Sequence, residues 1–234
     1  MSSTVDAATL TPAQLAPYIQ HTKIEVGSTR QEMIAHVDDA IKYGFSAAMV
    51  PGSWVALTAS ILKGTGIEVA SALDFPTVGV MTSAGKAAEA AELVRLGATQ
   101  IDIGVQIGWL KSGMYDEFRE DIAGVVRASG VPIKVMLELP LLTAEEKELA
   151  VQLSMEAGVA YLKNASSGQI ETANPESVRY LVARAKGGVL VKASGSIKHL
   201  AQARALIAAG ASLLGTSAGI EIISDTSSAE TKSY

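Results

Sequence analysis

Seven times along the chain, a glycine separates the end of a helix-like segment from a short, apolar, β-rich run. The runs follow Gly44 (FSAAMV), Gly66 (IEVASALD), Gly97 (ATQIDIGV), Gly130 (VPIKVMLEL), Gly158 (VAYLKNA), Gly188 (VLVKASG) and Gly210 (ASLLGTS). Glycine is favoured just past a helix end because it takes the left-handed conformation without a Cβ clash. With a first strand over residues 18–24, this punctuation predicts eight strands alternating with helices. The segments between read as helices. Met33, Ile34, Val37, Ala40 and Ile41 recur at helical spacing over 30–43, and Leu200, Ala203, Ala205, Leu206 and Ile207 do so over 198–209. Thr143 with Glu146 three residues on is a capping box for a helix ending near Ala157. The strands themselves are nearly continuous apolar runs, as in parallel strands covered by helices. Strict alternation through eight units predicts an α/β chain folded as a (β/α)8 TIM barrel; a doubly wound open sheet is the alternative. The barrel is expected to be a single domain over residues 1–223, with a flexible polar tail over 224–234.

Composition narrows the function classes. At 234 residues and 48% hydrophobic, the chain can bury a sizeable core. A net charge of −5 with no Lys/Arg-rich run argues against nucleic acid as a partner. The absence of cysteine excludes disulfides, thiolate zinc sites and thiol catalysis, and suits a reducing, cytoplasmic setting. No basic-then-apolar leader opens the sequence, and no apolar stretch reaches the roughly 18 residues of a membrane helix. Asn164-Ala165-Ser166 formally matches a glycosylation acceptor, which a chain without a secretion signal is not expected to use.

In a barrel the chemistry sits at the C-terminal strand ends. The polar residues there are Gln20, His21 and Thr22, then Asp74, Asp102, Lys134, Glu138 and Lys163, and finally Lys192, Ser194, Thr216 and Ser217. Asp102, Lys134, Glu138, Lys163 and Lys192 lie inside apolar strands, where charges are rare unless paired. They form either a buried ion network that fixes strand register or a reactive site. Three lysines on three consecutive strands favour the second reading. A lysine is nucleophilic only when neutral, and an apolar pocket beside another ammonium disfavours its charged form. Lys163 and Lys192 are on neighbouring strands, so one can attack a carbonyl to give an imine while the other relays protons, with Asp102 as a partner.

Other chemistries find less support. His21, His36 and His199 are scattered, whereas a metal-dependent aldolase needs clustered imidazoles. No GxGxxG or Walker A pattern is present. Gly215-Thr216-Ser217-Ala218-Gly219 fits a nucleophile elbow, but no histidine follows His199 to complete a hydrolase triad. The same run, with Gly195, Ser196 and Lys198 after strand seven, fits a barrel anion site; the alternative is that the glycines merely make tight turns.

The sequence resembles the deoxyribose-phosphate aldolases over nearly its whole length. The likeness rests on YIQHT (18–22), YGFSAAMV (43–50), DFP (74–76), QIDIGVQIGWLKSG (100–113), IKVMLELPLLTAEEK (133–147), YLKNASSG (161–168), VKASGSI (191–197) and GTSAG (215–219). The resemblance implies a (β/α)8 barrel that reversibly adds acetaldehyde to glyceraldehyde 3-phosphate, giving 2-deoxyribose 5-phosphate, with no metal or organic cofactor. It implies Lys163 as the Schiff-base lysine, and Lys192 with Asp102 as the proton relay. Thr22 and Ser194 would line the pocket, and Gly195, Ser196, Lys198, Gly215 and Ser217 would hold a phosphate. Some members end in a tyrosine that helps move the substrate's α-proton, a role that falls on Tyr234. Members often dimerise, so a homodimer is compatible with the chain.

Departures from the family pattern are Gln20, Met49 and Pro51, the Asn164–Gly168 run after the lysine, and Ser196 and Ala218 in the anion loops. The changes at Ser196 and Ala218 bear more on the acceptor's phosphate than on the imine, and those at Gln20, Met49 and Pro51 motivate a non-catalytic reading. Two alternatives follow: an aldolase of the same mechanism using an unphosphorylated acceptor, and a barrel that binds a sugar phosphate without turnover.

Overall fold

The computed structural model describes residues 7–224. Its eight strands are β1 Ile19–Thr22, β2 Ala47–Val50, β3 Glu68–Leu73, β4 Gln100–Gly104, β5 Ile133–Met136, β6 Tyr161–Lys163, β7 Leu190–Ser194 and β8 Leu213–Thr216. They pair in parallel in sequence order, and β8 closes on β1. The expected TIM barrel is therefore the observed one, not the open sheet. Helices α1 Pro12–Leu15, α2 Arg30–Tyr43, α3 Val55–Leu62, α4 Ser83–Arg95, α5 Ile107–Lys111, α6 Tyr115–Ser129, α7 Ala144–Glu156, α8 Pro175–Val182, α9 Leu200–Ala208 and α10 Gly219–Ser224 complete the described chain. The expected tail lies outside the described residues except for Ser224, which closes α10.

All seven punctuating glycines have positive φ. At Gly97, with φ 110°, a side chain would also collide with Ala59 on α3, so both backbone sign and helix packing exclude a Cβ. The capping box at α7 forms as expected: Thr143 accepts from the Glu146 N–H, and Glu146 returns a bond to the Thr143 N–H, an arrangement worth about 1 kcal/mol.

Side chains alternate across each strand. The outward set, including Ile19, Ala48, Val50, Ile101, Ile103, Val135 and Leu162, packs against the helices in one continuous core. The inward set is smaller and more polar. Ala47, Met49 and Ala70 form a separate cluster, and Gln20 donates to Gln100 at 2.6 Å inside the barrel. A barrel interior built of small and polar groups leaves room above it for a site. No helix among the described residues is long and apolar enough to cross a membrane.

Candidate active site

Parallel register sets the charged strand residues in two facing pairs, offset by two residues between β5 and β6. Asp102 on β4 is opposite Lys134 on β5, and Lys163 on β6 is opposite Lys192 on β7. All four are inward-facing, and their tips meet. Asp102 Oδ2 accepts from Lys163 Nζ at 2.9 Å and from Lys192 Nζ at 2.7 Å. Lys134 Nζ is 3.3 Å from the other carboxyl oxygen, Oδ1, and also lies 5.5 Å from the Tyr161 ring centroid. Asp102 and Lys134 have no exposed surface, Lys192 has 1% and Lys163 6%.

Three ammonium groups on one carboxylate would leave two uncompensated positive charges in a dry site. Burial drives Lys192 well below the ordinary lysine value, and the like charges of Lys163 and Lys134 add to that effect against the pull of Asp102. Burial lowers Lys134 as well. Burial alone would raise Asp102, but the three neighbouring ammonium groups outweigh it and hold the carboxyl well below the usual range. The cluster thus sets an anion beside two amines, Lys192 and Lys134, whose charged forms burial disfavours.

Above it opens a cavity of about 800 Å³, large enough for a small sugar phosphate. Lys163 and Lys192 form its floor. Every expected pocket residue within the described chain lines it: Thr22, Ser194, Gly195, Ser196, Lys198, Gly215 and Ser217. Gly195 has φ 121°, and a Cβ there would overlap the carbonyl oxygen of Glu171. Ser196, at φ 49°, adopts the left-handed region without being glycine. Two donors of the anion loops are already engaged, since the Ala218 N–H bonds Thr216 Oγ1 and the Lys198 N–H bonds Gln202 Oε1. Tyr234 lies outside the described residues.

Other expectations need correction. Asp74 does not belong to the cavity. Its carboxyl accepts from the N–H groups of Gly79, Val80 and Met81 and pairs with buried Lys86 at 3.1 Å. His21 and His36 are not scattered but stacked, with ring centroids 4.4 Å apart; burial pushes His36 down to about 3, with the neighbouring ring contributing. Only His199 reaches the cavity. Asn164, the formal glycosylation acceptor, is 1% exposed and fully engaged. The described residues contain no group of histidine, cysteine, aspartate and glutamate that could hold a metal ion.

Sequence reasoning missed the apolar wall, including Met49, Phe75 and Met136, and the small wall of Ser166, Ser167 and Gly168. An apolar residue facing a cavity is indistinguishable in sequence from one facing the core. Glu138 interrupts an apolar run in the sequence, which assigns it no role. It is buried at φ 50°, with Oε1 accepting the Ser166 N–H at 2.9 Å, and burial raises its carboxyl despite that bond.

No protein-family model matches the chain. The deoxyribose-phosphate aldolase of Methanothermobacter thermautotrophicus is 41% identical over 214 residues, covering 91% of this chain and 95% of its own. The chain belongs to the deoxyribose-phosphate aldolase family. The family enzyme of Thermosynechococcus vestitus is 39% identical over 89% of this chain and 95% of its own. Among solved structures, the tetrameric deoxyribose phosphate aldolase of Aeropyrum pernix superposes with a TM-score of 0.86 at 27% identity, covering 96% of each chain. As a member of the deoxyribose-phosphate aldolase family, the protein is an enzyme, a lyase of aldolase type.

Proposed function

We propose that this enzyme is a class I aldolase that reversibly joins acetaldehyde to glyceraldehyde 3-phosphate through an imine on Lys163. The observation that carries the reading is the charge imbalance at the cavity floor: three lysines converge on the single carboxylate of Asp102, and Lys163 is the most exposed of them. The neutral amine of Lys163 adds to the aldehyde carbon, and the carbinolamine hydroxyl takes up a proton from solvent and leaves as water, giving a protonated imine. That cation draws electrons from the adjacent C–H bond, and the released proton passes to the amine of Lys192, whose charged form burial and like charges disfavour. The resulting enamine carbon attacks the acceptor carbonyl, whose oxygen takes up a proton from the same relay. Water then hydrolyses the product imine and restores Lys163. Asp102 holds both amines in place and returns no proton of its own. The imine serves as the electron sink, so this route needs neither metal nor organic cofactor.

Thr22 and Ser194 line the aldehyde end, while Gly195, Ser196, Lys198, Gly215 and Ser217 receive the acceptor's phosphate. A second reading, an unphosphorylated acceptor, is favoured by Glu25 and Glu221, which line the same cavity as Lys198. Tyr234 is proposed to assist the α-proton transfer. Borohydride reduction with acetaldehyde, followed by peptide mass analysis, tests the imine. A stable adduct on Lys163 is expected, and its absence would overturn the Schiff-base mechanism. Cleavage of 2-deoxyribose as fast as its 5-phosphate would decide for the second reading. Removal of Tyr234 is expected to slow turnover without lowering the melting temperature.

A further inference from the structure

The residue after the proposed imine lysine makes an unusually complete set of bonds. Asn164 is 1% exposed. Its Oδ1 accepts the Ser194 N–H at 2.9 Å, and its Nδ2 donates to the Ser194 carbonyl at 3.0 Å. One side-chain amide therefore pairs with both polar groups of one peptide residue, continuing the β6–β7 ladder past its last registered pair, Lys163 with Lys192. The same Nδ2 donates to Glu171 Oε2 at 2.6 Å, which fixes which end of the amide faces which partner. Glu171 is itself held by Asn174 Nδ2 at 3.0 Å and by the Ser177 hydroxyl. On the other side, the Asn164 carbonyl accepts the Leu139 N–H at 3.0 Å, beside the bond from the Leu137 N–H to the Lys163 carbonyl. Asn164 thus fastens the end of β6 to β7 and to the turn that follows β5.

We propose that Asn164 is a positioning residue that sets the distance between Lys163 and Lys192. The inference rests on the Schiff-base reading above. Both lysines share Asp102 Oδ2, so a small splay of β6 from β7 takes Lys192 away from the α-carbon while leaving Lys163 able to meet an aldehyde. Proton transfer depends on hydrogen-bond reach and suffers more from such a displacement than addition to a mobile small aldehyde does. A merely structural role would lower the melting temperature and leave the ratio of these two steps unchanged.

The test compares borohydride trapping of acetaldehyde on Lys163 with the rate at which acetaldehyde exchanges its α-protons for deuterium. N164D keeps the shape, but it cannot donate to Ser194 and it sets a carboxylate against Glu171. Its exchange-to-trapping ratio is expected to fall at least tenfold. In N164D/E171Q the new amide can donate to the introduced carboxylate, and about half of the loss, on a logarithmic scale, should return. An unchanged ratio in N164D, or no recovery in the double variant, overturns the proposal. Should N164D not fold, E171Q alone is expected to lower the ratio severalfold, and an unchanged ratio there overturns it equally. Failure of the wild type to form any Lys163 adduct would instead sink the Schiff-base reading, so the two failures are distinguishable.

Discussion

Two sets of buried lysine charge lie on opposite sides of β4, and their stoichiometry is inverted. Lys86, reaching inward from α4, bridges Asp74 at 3.1 Å and Asp121 at 2.8 Å, and donates to the Gly104 carbonyl at 2.9 Å. Ser83 caps the remaining Asp121 oxygen at 2.7 Å. One cation there meets two carboxylates, and nearly every polar atom has a partner. Around Asp102, three cations meet one carboxylate, and Oδ1 and Lys134 Nζ have no hydrogen-bonding partner. A buried charge with ample compensation is held in a single state and fixes geometry. Buried like charges in excess have a cheap way out, which is to release a proton. The first arrangement ties the β3 loop, α4 and α6 together; the second keeps amines ready to react. Burial alone does not separate the two cases, because Lys86 is no more exposed than Lys134.

Replacing one lysine at a time should break that comparison into its parts. Lys163→Met is expected to abolish aldol turnover and borohydride trapping, yet to leave the melting temperature near that of the wild type, since it removes one of three like charges. A melting temperature that collapses with activity would assign Lys163 to structure instead. Asp102→Asn keeps the shape and removes the anion that orients both amines. It should lower kcat by about 10² to 10⁴, the usual weight of a proton-transfer group, because Lys192 loses the anchor that positions it; wild-type rates would show that Asp102 does not position the amines. Lys86→Met should act in the opposite sense. It strands two buried carboxylates, so chemical denaturation should show a loss of about 3–5 kcal/mol, with kcat per folded molecule retained. A Lys86→Met protein of undiminished stability would dissolve the distinction between the clusters.

The division between these clusters was only half visible in the sequence. The reactive side could be read because β-strands expose their charges: Asp102, Lys134, Lys163 and Lys192 interrupt apolar runs, and parallel register must bring neighbouring strands level. The structural side could not. Lys86 lies among alanines and glutamates on a helix, where a lysine ordinarily marks the solvent face, and nothing in the pattern turns it inward. Asp74 follows a strand and so stands among the polar residues at the strand ends, but its left-handed backbone at φ 54° and its bonds to three successive N–H groups direct it to the loop. The barrel was legible almost throughout, because glycine at each helix–strand junction is demanded by backbone sterics. The His21–His36 stack and the bonds of Asn164 depend on side-chain directions between separate elements, which local pattern does not encode.

Protonation linkage separates the clusters without testing turnover. Asp74 is held below its ordinary value of 3.8, because the Val80 and Met81 N–H groups and the Lys86 ammonium outweigh the cost of burial. Its stabilising contribution is therefore present above about pH 4 and lost as pH falls through the folded value. Lys192 is depressed from 10.5 chiefly by burial. Between its folded value and 10.5 the unfolded chain binds the extra proton, so stability contributed by this group rises with pH across that window. The slope is at most about 1.4 kcal/mol per pH unit for one proton. Lys192→Met removes the titrating group and should remove the rise. The stability of wild type minus that of Lys192→Met is thus expected to increase as pH rises from the folded value of Lys192 toward 10.5, while the two proteins share the Asp74 transition at acid pH. Denaturant titrations at a series of pH values measure this directly. Parallel curves for the two proteins across the alkaline window would show that Lys192 carries the same proton folded and unfolded, and the excess of buried positive charge would then have to be relieved at Lys134 or Lys163.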